Sequence, residues 1–137
     1  MLTALKERGI RMGVISNMIS TRFVPDVLEK YGITSFFETV VLSCVCGIRK
    51  PDPKIFDLAL SEMGIPKAAA CYVGDTISRD VLGVRRAGWG WVIQIDNPLV
   101  YHRDAAVMQE QAVQPDFSIQ SLPEIVPIID RINCSEN

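Results

Sequence analysis

The chain has 137 residues, a length that fits one domain, and 48% of them are apolar, which is enough for a hydrophobic core and excludes an intrinsically disordered chain. Its net charge of −2 at pH 7 offers no basic surface for nucleic acid or for an anionic membrane. No apolar run approaches the roughly 20 residues that span a bilayer, and charges stand where a signal peptide would be apolar. We therefore predict a cytoplasmic protein whose four cysteines are free thiols.

Short apolar runs alternate with amphipathic runs along the chain. The short runs have the β-branched composition of strands, and the amphipathic runs have helical spacing and often end at glycine. In chain order the predicted elements are helix 2–9, strand 11–16, helix 21–31, strand 39–43, helix 53–63, strand 68–74, helix 78–87, strand 89–95, strand 116–119 and helix 121–132. The stretch 97–114 is ambiguous, with a helix over 101–111 as one interpretation.

This alternation predicts an α/β fold, a doubly wound, mainly parallel sheet of about five strands flanked by helices. We expect a single domain over residues 1–137. Ligands of such sheets bind at the carboxyl ends of the strands. Polar residues follow three of the predicted strands: Ser16 and Asn17 the first, Lys50 the second, and Asp75 and Asp80 the third.

Together these residues form a set that suits phosphoryl transfer. A carboxylate at a strand end can hold Mg²⁺, which prefers hard oxygen ligands and keeps some of its waters. The Lys50 ammonium offers a charge to phosphate oxygens, and the Ser16 hydroxyl can hold the non-bridging oxygens. Gly74 would let the backbone turn sharply before Asp75.

Each of these residues also has a plainer interpretation when it is taken alone. Ser16 could be a polar strand end, Lys50 a solvated loop charge, and Asp75 a turn residue after a glycine. Asp80 could merely favour the positive end of a helix dipole. The segment Tyr101 to Asp104 is expected to be a surface loop, with a substrate entrance as the rival interpretation.

Three sequence motifs in order resemble those of the haloacid dehalogenase (HAD) superfamily, in its phosphatase-like branch. The run VISN is similar to the second motif, GIRKPDPKIF to the third, and YVGDTISRD to the fourth. The end of the chain, PDFSIQSLPEIVPII, is also similar to the end of this branch. The resemblance covers nearly the whole chain and implies a HAD-like, Rossmann-like core.

The resemblance implies a role for each candidate residue. Ser16, with Asn17 beside it, would bind the transferring phosphoryl group, and Lys50 would balance charge on the nucleophile and on the phosphoryl oxygens. Asp75 would bind Mg²⁺, and Asp80 would support the metal site or orient Lys50. The implied parent reaction is the Mg²⁺-dependent hydrolysis of a small phosphate monoester through an aspartyl-phosphate.

One feature departs from the family pattern. The family's first motif, Asp-x-Asp, supplies the nucleophile and the general acid/base, but the first aspartate of this chain is Asp26, after the second motif. In family members the strand with that motif lies between the strands that end at Ser16 and Asp75, and a helical cap follows it. We expect these 137 residues to be an incomplete core that is inactive alone.

The absence of a central strand would leave two strand edges bare or force them to pair with each other, and bare edges invite association with another chain. Two explanations stay open: truncation of a longer protein, or a partner that supplies the strand, as in a swapped homodimer. The functional alternative is a degenerate, non-catalytic module that binds phosphate, Mg²⁺ or a protein.

Overall fold

The computed structural model describes residues 1–110 and 113–135, without the side chains of 108–110. Parallel strands alternate with helices, as the sequence predicts. The strands are β1 (Met12–Ser16), β2 (Phe37–Leu42), β3 (Cys71–Gly74), β4 (Trp91–Ile95) and β5 (Phe117–Ile119). The helices are α1 (Leu2–Glu7), α2 (Phe23–Lys30), α3 (Ser43–Cys46), α4 (Pro53–Met63), α5 (Leu82–Ala87), α6 (Tyr101–Glu110) and α7 (Ile125–Ser135).

The strands form two parallel sheets instead of one continuous sheet. β1 pairs with β2, and β4 lies between β3 and β5 in the second sheet. In the described part of the chain no strand pairing joins β1 to β3. Their free edges line a groove of about 500 Å³, together with apolar residues of α1, α4 and α7. Of the two outcomes expected for a missing central strand, the structure has bare edges.

The hydrophobic core lies on both faces of the strands. Val92 of β4 belongs to a buried cluster with Ile55 and Phe56 of α4 and with α5, whereas the next residue, Ile93, packs with α1 and α7 on the opposite face. Both side chains are fully buried. Strands that are covered on both faces are the usual elements of doubly wound sheets, since helices flank such sheets on each side. The predicted α/β class is therefore confirmed.

Several element boundaries differ from the sequence prediction. The loop that starts after β2 begins with the helical turn α3, and the helix expected over 78–87 begins as a π-helical turn, Ile77–Val81, before α5. The ambiguous stretch forms α6, and Gln111 lies outside the described residues. No helix among the described residues combines the length and the apolar character needed to cross a membrane.

Candidate active site

The loop that carries Lys50 is fixed to the end of β1 by a side chain. Asn17 donates from Nδ2 to the Lys50 carbonyl oxygen at 3.1 Å and accepts the Lys50 backbone N–H at 2.9 Å. The amide thereby pairs with the backbone of Lys50 as a neighbouring strand would. This gives Asn17 a role in placing Lys50, and its contact with a phosphoryl group stays a prediction.

The Lys50 ammonium meets the Asp80 carboxylate in a buried ion pair. Lys50 Nζ lies 2.6 Å from Asp80 Oδ1 and donates to the Tyr72 hydroxyl at 2.9 Å. The Asp80 side chain is 3% exposed and that of Lys50 is 11% exposed. Thr76 donates to Asp80 Oδ2 from its backbone N–H at 3.0 Å and from its hydroxyl at 2.7 Å. Both carboxylate oxygens are therefore bonded, which is what a buried charge requires.

Gly74 allows this carboxylate to lie against the backbone of β3. A Cβ atom at position 74 would lie 2.5 Å from Asp80 Cβ and 2.7 Å from Asp80 Oδ2, closer than non-bonded atoms approach. The Gly74 φ is not in the left-handed region. The sequence prediction assigned this glycine to a sharp turn, but the structure shows that it provides space for Asp80.

Burial and charge act in opposite directions on Asp80. Burial is the largest single influence and raises the pKa of Asp80, but the charge and hydrogen bond of Lys50 and the two bonds from Thr76 together outweigh it, so the net pKa is below the ordinary value of 3.8. Burial, followed by the neighbouring Asp80 charge, holds the pKa of Tyr72 well above 10. At neutral pH the site therefore contains an ionised Asp80 and a protonated Tyr72.

Asp75 lies beside this network, directly after Gly74. Asn97, which follows β4, donates from Nδ2 to Asp75 Oδ2 at 2.8 Å. The other carboxylate oxygen has no hydrogen bond to the described residues. A magnesium site in a protein commonly uses one or two carboxylates together with waters and substrate oxygens. Asp75 offers one such carboxylate.

The structure places Ser16 at the carboxyl end of β1, between two residues that touch the Lys50 network. On one side Asn17 pairs with the Lys50 backbone, and on the other the Ile15 carbonyl oxygen lies 3.5 Å from the Tyr72 hydroxyl oxygen. Ser16, Lys50 and Asp75 therefore occupy one rim of the strands, as the sequence predicts. Their joint contact with a phosphate stays a prediction.

The described residues contain no cluster of three or more His, Cys, Asp or Glu side chains that could hold a metal ion. Asp80 does not add to Asp75 as a ligand, because its two oxygens already face Lys50, Tyr72 and Thr76. A metal ion at Asp75 would take further ligands from water and from substrate oxygens. Among the described residues, Asp75 is thus the single carboxylate that we assign to such a site.

Sequence reasoning missed four residues that build the site: Tyr72, Thr76, Asn97 and Asp104. Tyr72 stands in an apolar strand run, where its hydroxyl gives no signal. Asp104 was expected in a surface loop, but it is 2% exposed on α6 and accepts hydrogen bonds from the π-helical turn. Its hydrogen-bond partners, Ile77 and Ser78, lie 27 and 26 residues earlier in the chain, so local composition could not reveal its burial.

Comparisons with known proteins agree with the family resemblance of the three sequence motifs. The chain matches the family model described as haloacid dehalogenase-like hydrolase over residues 1–88. It is 30% identical over 128 residues to the glyceraldehyde 3-phosphate phosphatase of Methanopyrus kandleri, an alignment that covers 93% of this chain and 53% of that protein. It is 31% identical over 135 residues to the haloacid dehalogenase-like hydrolase domain-containing protein 3 of Bos taurus, with 98% and 51% covered.

Solved structures share the fold. A HAD phosphatase from Thermococcus onnurineus superposes with a TM-score of 0.75 at 23% sequence identity, over 93% of this chain and 54% of that one. The chain therefore spans about half the length of the curated relatives that it matches.

Proposed function

Because the chain belongs to the haloacid dehalogenase-like hydrolase family, we propose that it forms the phosphate-binding and Mg²⁺-binding part of a phosphohydrolase active site. The observation that carries the proposal is the buried Lys50–Asp80 ion pair at the rim where β1 and β3 end, next to Ser16 and Asp75. A buried ion pair contributes little net stability compared with apolar residues of the same size. Its position among a hydroxyl and a second carboxylate favours a chemical role.

The proposed substrate is a small phosphate monoester. The glyceraldehyde 3-phosphate phosphatase among the relatives acts on such a compound by its name. Ser16 would donate a hydrogen bond to a phosphoryl oxygen, and Lys50 would place its positive charge beside that oxygen. Asp75 would hold Mg²⁺, which would neutralise charge on the phosphoryl group.

The groove between the two sheets is the proposed place for the strand that completes the site. β1 and β3 each present an unpaired edge to it, and its lining is largely apolar, with residues such as Val14, Val73 and Ile129. An extended segment can bond to the backbone of both edges and bury its side chains against α4 and α7. Its carboxyl end would then reach the rim that holds Lys50.

That strand would carry the attacking carboxylate of the parent reaction. A carboxylate oxygen attacks phosphorus, the ester P–O bond breaks, and the departing alcohol takes a proton from a second carboxylic acid. Water then attacks the phosphorus of the aspartyl-phosphate and gives its proton to the second carboxylate, and the P–O bond to the first carboxylate breaks to release phosphate. Since no aspartate precedes Ser16 in this sequence, we expect these 137 residues to bind the ligands without turnover.

Calorimetric titration with inorganic phosphate and MgCl₂ tests the binding part. Asp75→Asn should abolish Mg²⁺ binding, and Ser16→Ala should weaken phosphate binding by about tenfold, the equivalent of one hydrogen bond to a charged group. Asp26→Asn and Ser61→Ala, on the exposed faces of α2 and α4, are the matched controls and should bind as the parent chain does. Loss of binding in the controls, or none in the site variants, contradicts the assignment.

A p-nitrophenyl phosphate assay with MgCl₂ tests the absence of turnover. Hydrolysis that Asp75→Asn abolishes would show that these 137 residues turn over a phosphate ester, which would refute the expectation of binding without turnover. Binding without hydrolysis agrees with the proposal and also with a non-catalytic binding module. The two are distinguished by whether another segment supplies the strand proposed for the groove. Light scattering decides whether a second copy supplies that strand: a dimer supports the swapped homodimer, and a folded monomer excludes the homodimer.

A cytoplasmic location and the lack of nucleic-acid and membrane partners stay predictions.

A further inference from the structure

Asp104 is a buried carboxylate that the proposed reaction does not use. It lies on α6, which follows β4, and its side chain points at the turn that carries Asp80. Its Oδ2 accepts the backbone N–H of Ile77 at 2.9 Å, and its Oδ1 accepts the backbone N–H and the hydroxyl of Ser78 at 2.9 and 2.8 Å. The residue is 2% exposed.

The amides that Asp104 binds open the π-helical turn Ile77–Val81. The first N–H groups of a helical segment have no partner within the segment, so an outside acceptor has to bind them. Thr76, just before the turn, has no side-chain cap bond to these amides, because its hydroxyl is directed to Asp80. Asp104 therefore supplies from another element the cap that this turn lacks.

Asn97, seven residues before Asp104, binds the residue that directly follows β3. Asn97 accepts the Leu99 N–H with Oδ1 at 3.2 Å, which leaves its Nδ2 directed at Asp75 Oδ2 at 2.8 Å. Asn97 thus binds Asp75, and Asp104 binds the two residues that open the turn leading to Asp80. Asp80 itself is reached only by Lys50, Tyr72 and Thr76 in the described structure.

We propose that Asp104 is a positioning residue: it closes the first turn of Ile77–Val81 and thereby holds Asp80 where it meets Lys50. The proposal deepens the phosphate site proposed above and rests on it for the use that is made of Lys50. Asp104 touches neither Lys50 nor Asp80, so its effect on the pair has to pass through the turn. Its geometric basis is independent of any bound phosphate or metal ion.

The test compares Asp104→Asn with Asp116→Asn. An asparagine at position 104 keeps the shape of the side chain but replaces one acceptor oxygen with an NH₂ group that faces donors. Asp116 is the comparison variant, because its carboxylate also accepts a backbone N–H, that of Val92 at 2.8 Å, while its other oxygen pairs with Arg85 of α5 and not with an amide of the turn. Carboxyl ¹³C NMR titration follows the protonation of Asp80, and amide hydrogen exchange follows the N–H groups of Ile77 and Ser78.

Asp104→Asn should raise the pKa of Asp80 by about one unit, a tenfold change in proton affinity, because a displaced Asp80 loses part of its bond to Lys50. The exchange of the Ile77 and Ser78 amides should accelerate by at least about tenfold, since their acceptors are disturbed. Asp116→Asn should change neither quantity, even if it destabilises the fold. Ser78→Ala keeps the carboxylate and both amide bonds, so it should shift Asp80 in the same direction by less.

An unchanged Asp80 titration in Asp104→Asn overturns the proposal, as does an equal shift in Asp116→Asn. If Asp104→Asn does not fold, the titration of Asp80 in Ser78→Ala decides: an unchanged pKa of Asp80 in that variant overturns the proposal. Neither measurement contains phosphate or Mg²⁺. A shifted Asp80 in a chain that binds neither ligand would therefore refute the proposed function while supporting the positioning role of Asp104.

Discussion

Replacement of Lys50 by methionine would leave a buried carboxylate without its counter-charge. Asp80 is 3% exposed, and its closest partner, Lys50 Nζ at 2.6 Å, would be lost. Thr76 and Tyr72 would still donate to the carboxylate, but neither carries a charge. Removal of one partner of a buried ion pair typically costs about 3–5 kcal/mol of the free energy of unfolding. That loss is a large part of the roughly 5–15 kcal/mol available to a domain.

Urea unfolding followed by tryptophan fluorescence measures the loss. With a slope of about 2 kcal/mol per molar urea, Lys50→Met should lower the midpoint by about 2 M at pH 7. Lys54→Met makes the same chemical change at an exposed position of α4 and should stay within about 0.5 kcal/mol of the parent chain. The double variant Lys50→Met/Asp80→Asn should regain most of the stability, because it leaves no unpaired charge.

The free energy of unfolding of the same variants should also depend on pH through the ionisation of Asp80. The pKa of Asp80 lies below 3.8 in the folded parent chain, so the stability from its ionised form is present above 3.8 and is lost as the pH falls through the folded value. In Lys50→Met the buried Asp80 takes up a proton at a higher pH, and the difference between the two chains should narrow toward pH 4. A Lys50→Met chain as stable as Lys54→Met at pH 7 would refute the reasoning.

Three further predictions concern single side chains of the site and the core. Gly74→Ala should lower the free energy of unfolding by about 1–3 kcal/mol in urea titrations, because its Cβ would overlap Asp80; a neutral result would contradict the close approach. Tyr72→Phe should cost about 1–3 kcal/mol in the same assay, since Lys50 and Asp80 each lose a hydrogen-bond partner. Cys71 is half-buried, and desolvation raises its pKa to about 12, so iodoacetamide at pH 8 should label exposed Cys134 much faster than Cys71 in the folded chain; equal labelling of the two thiols would contradict the raised pKa.

The fold was predictable where short-range pattern and tertiary packing agree. The run around Val92 and Ile93 is apolar without alternation, and the structure buries both side chains, on opposite faces of β4. Gly64 and Gly88 were expected to end helices, and both adopt the left-handed conformation that closes α4 and α5. These features depend on residues that are close in sequence, so the sequence alone contains the necessary information.

The details of the site depend on long-range partners and were less predictable. The order of Ser16, Lys50, Asp75 and Asp80 gave the rim of the strands correctly, because carboxyl ends of parallel strands share one edge. It did not reveal that Asn17 would bind the backbone of Lys50, 33 residues away. Nor did it reveal the burial of a charged residue on α6, since nothing local distinguishes Asp104 from an exposed aspartate.

The polar network also joins the two sheets. The Lys50 loop follows β2 and is fixed to the end of β1 by Asn17, whereas Asp80 follows β3 of the other sheet. The Lys50–Asp80 ion pair and the hydrogen bond from Lys50 Nζ to the Tyr72 hydroxyl therefore cross from one sheet to the other at the carboxyl end of the groove. Strand pairing does not provide that connection, so helix packing and these polar bonds have to provide it. These contacts lie at the carboxyl end of the groove, so a strand that entered it parallel to β1 and β3, as proposed above, would end beside Lys50.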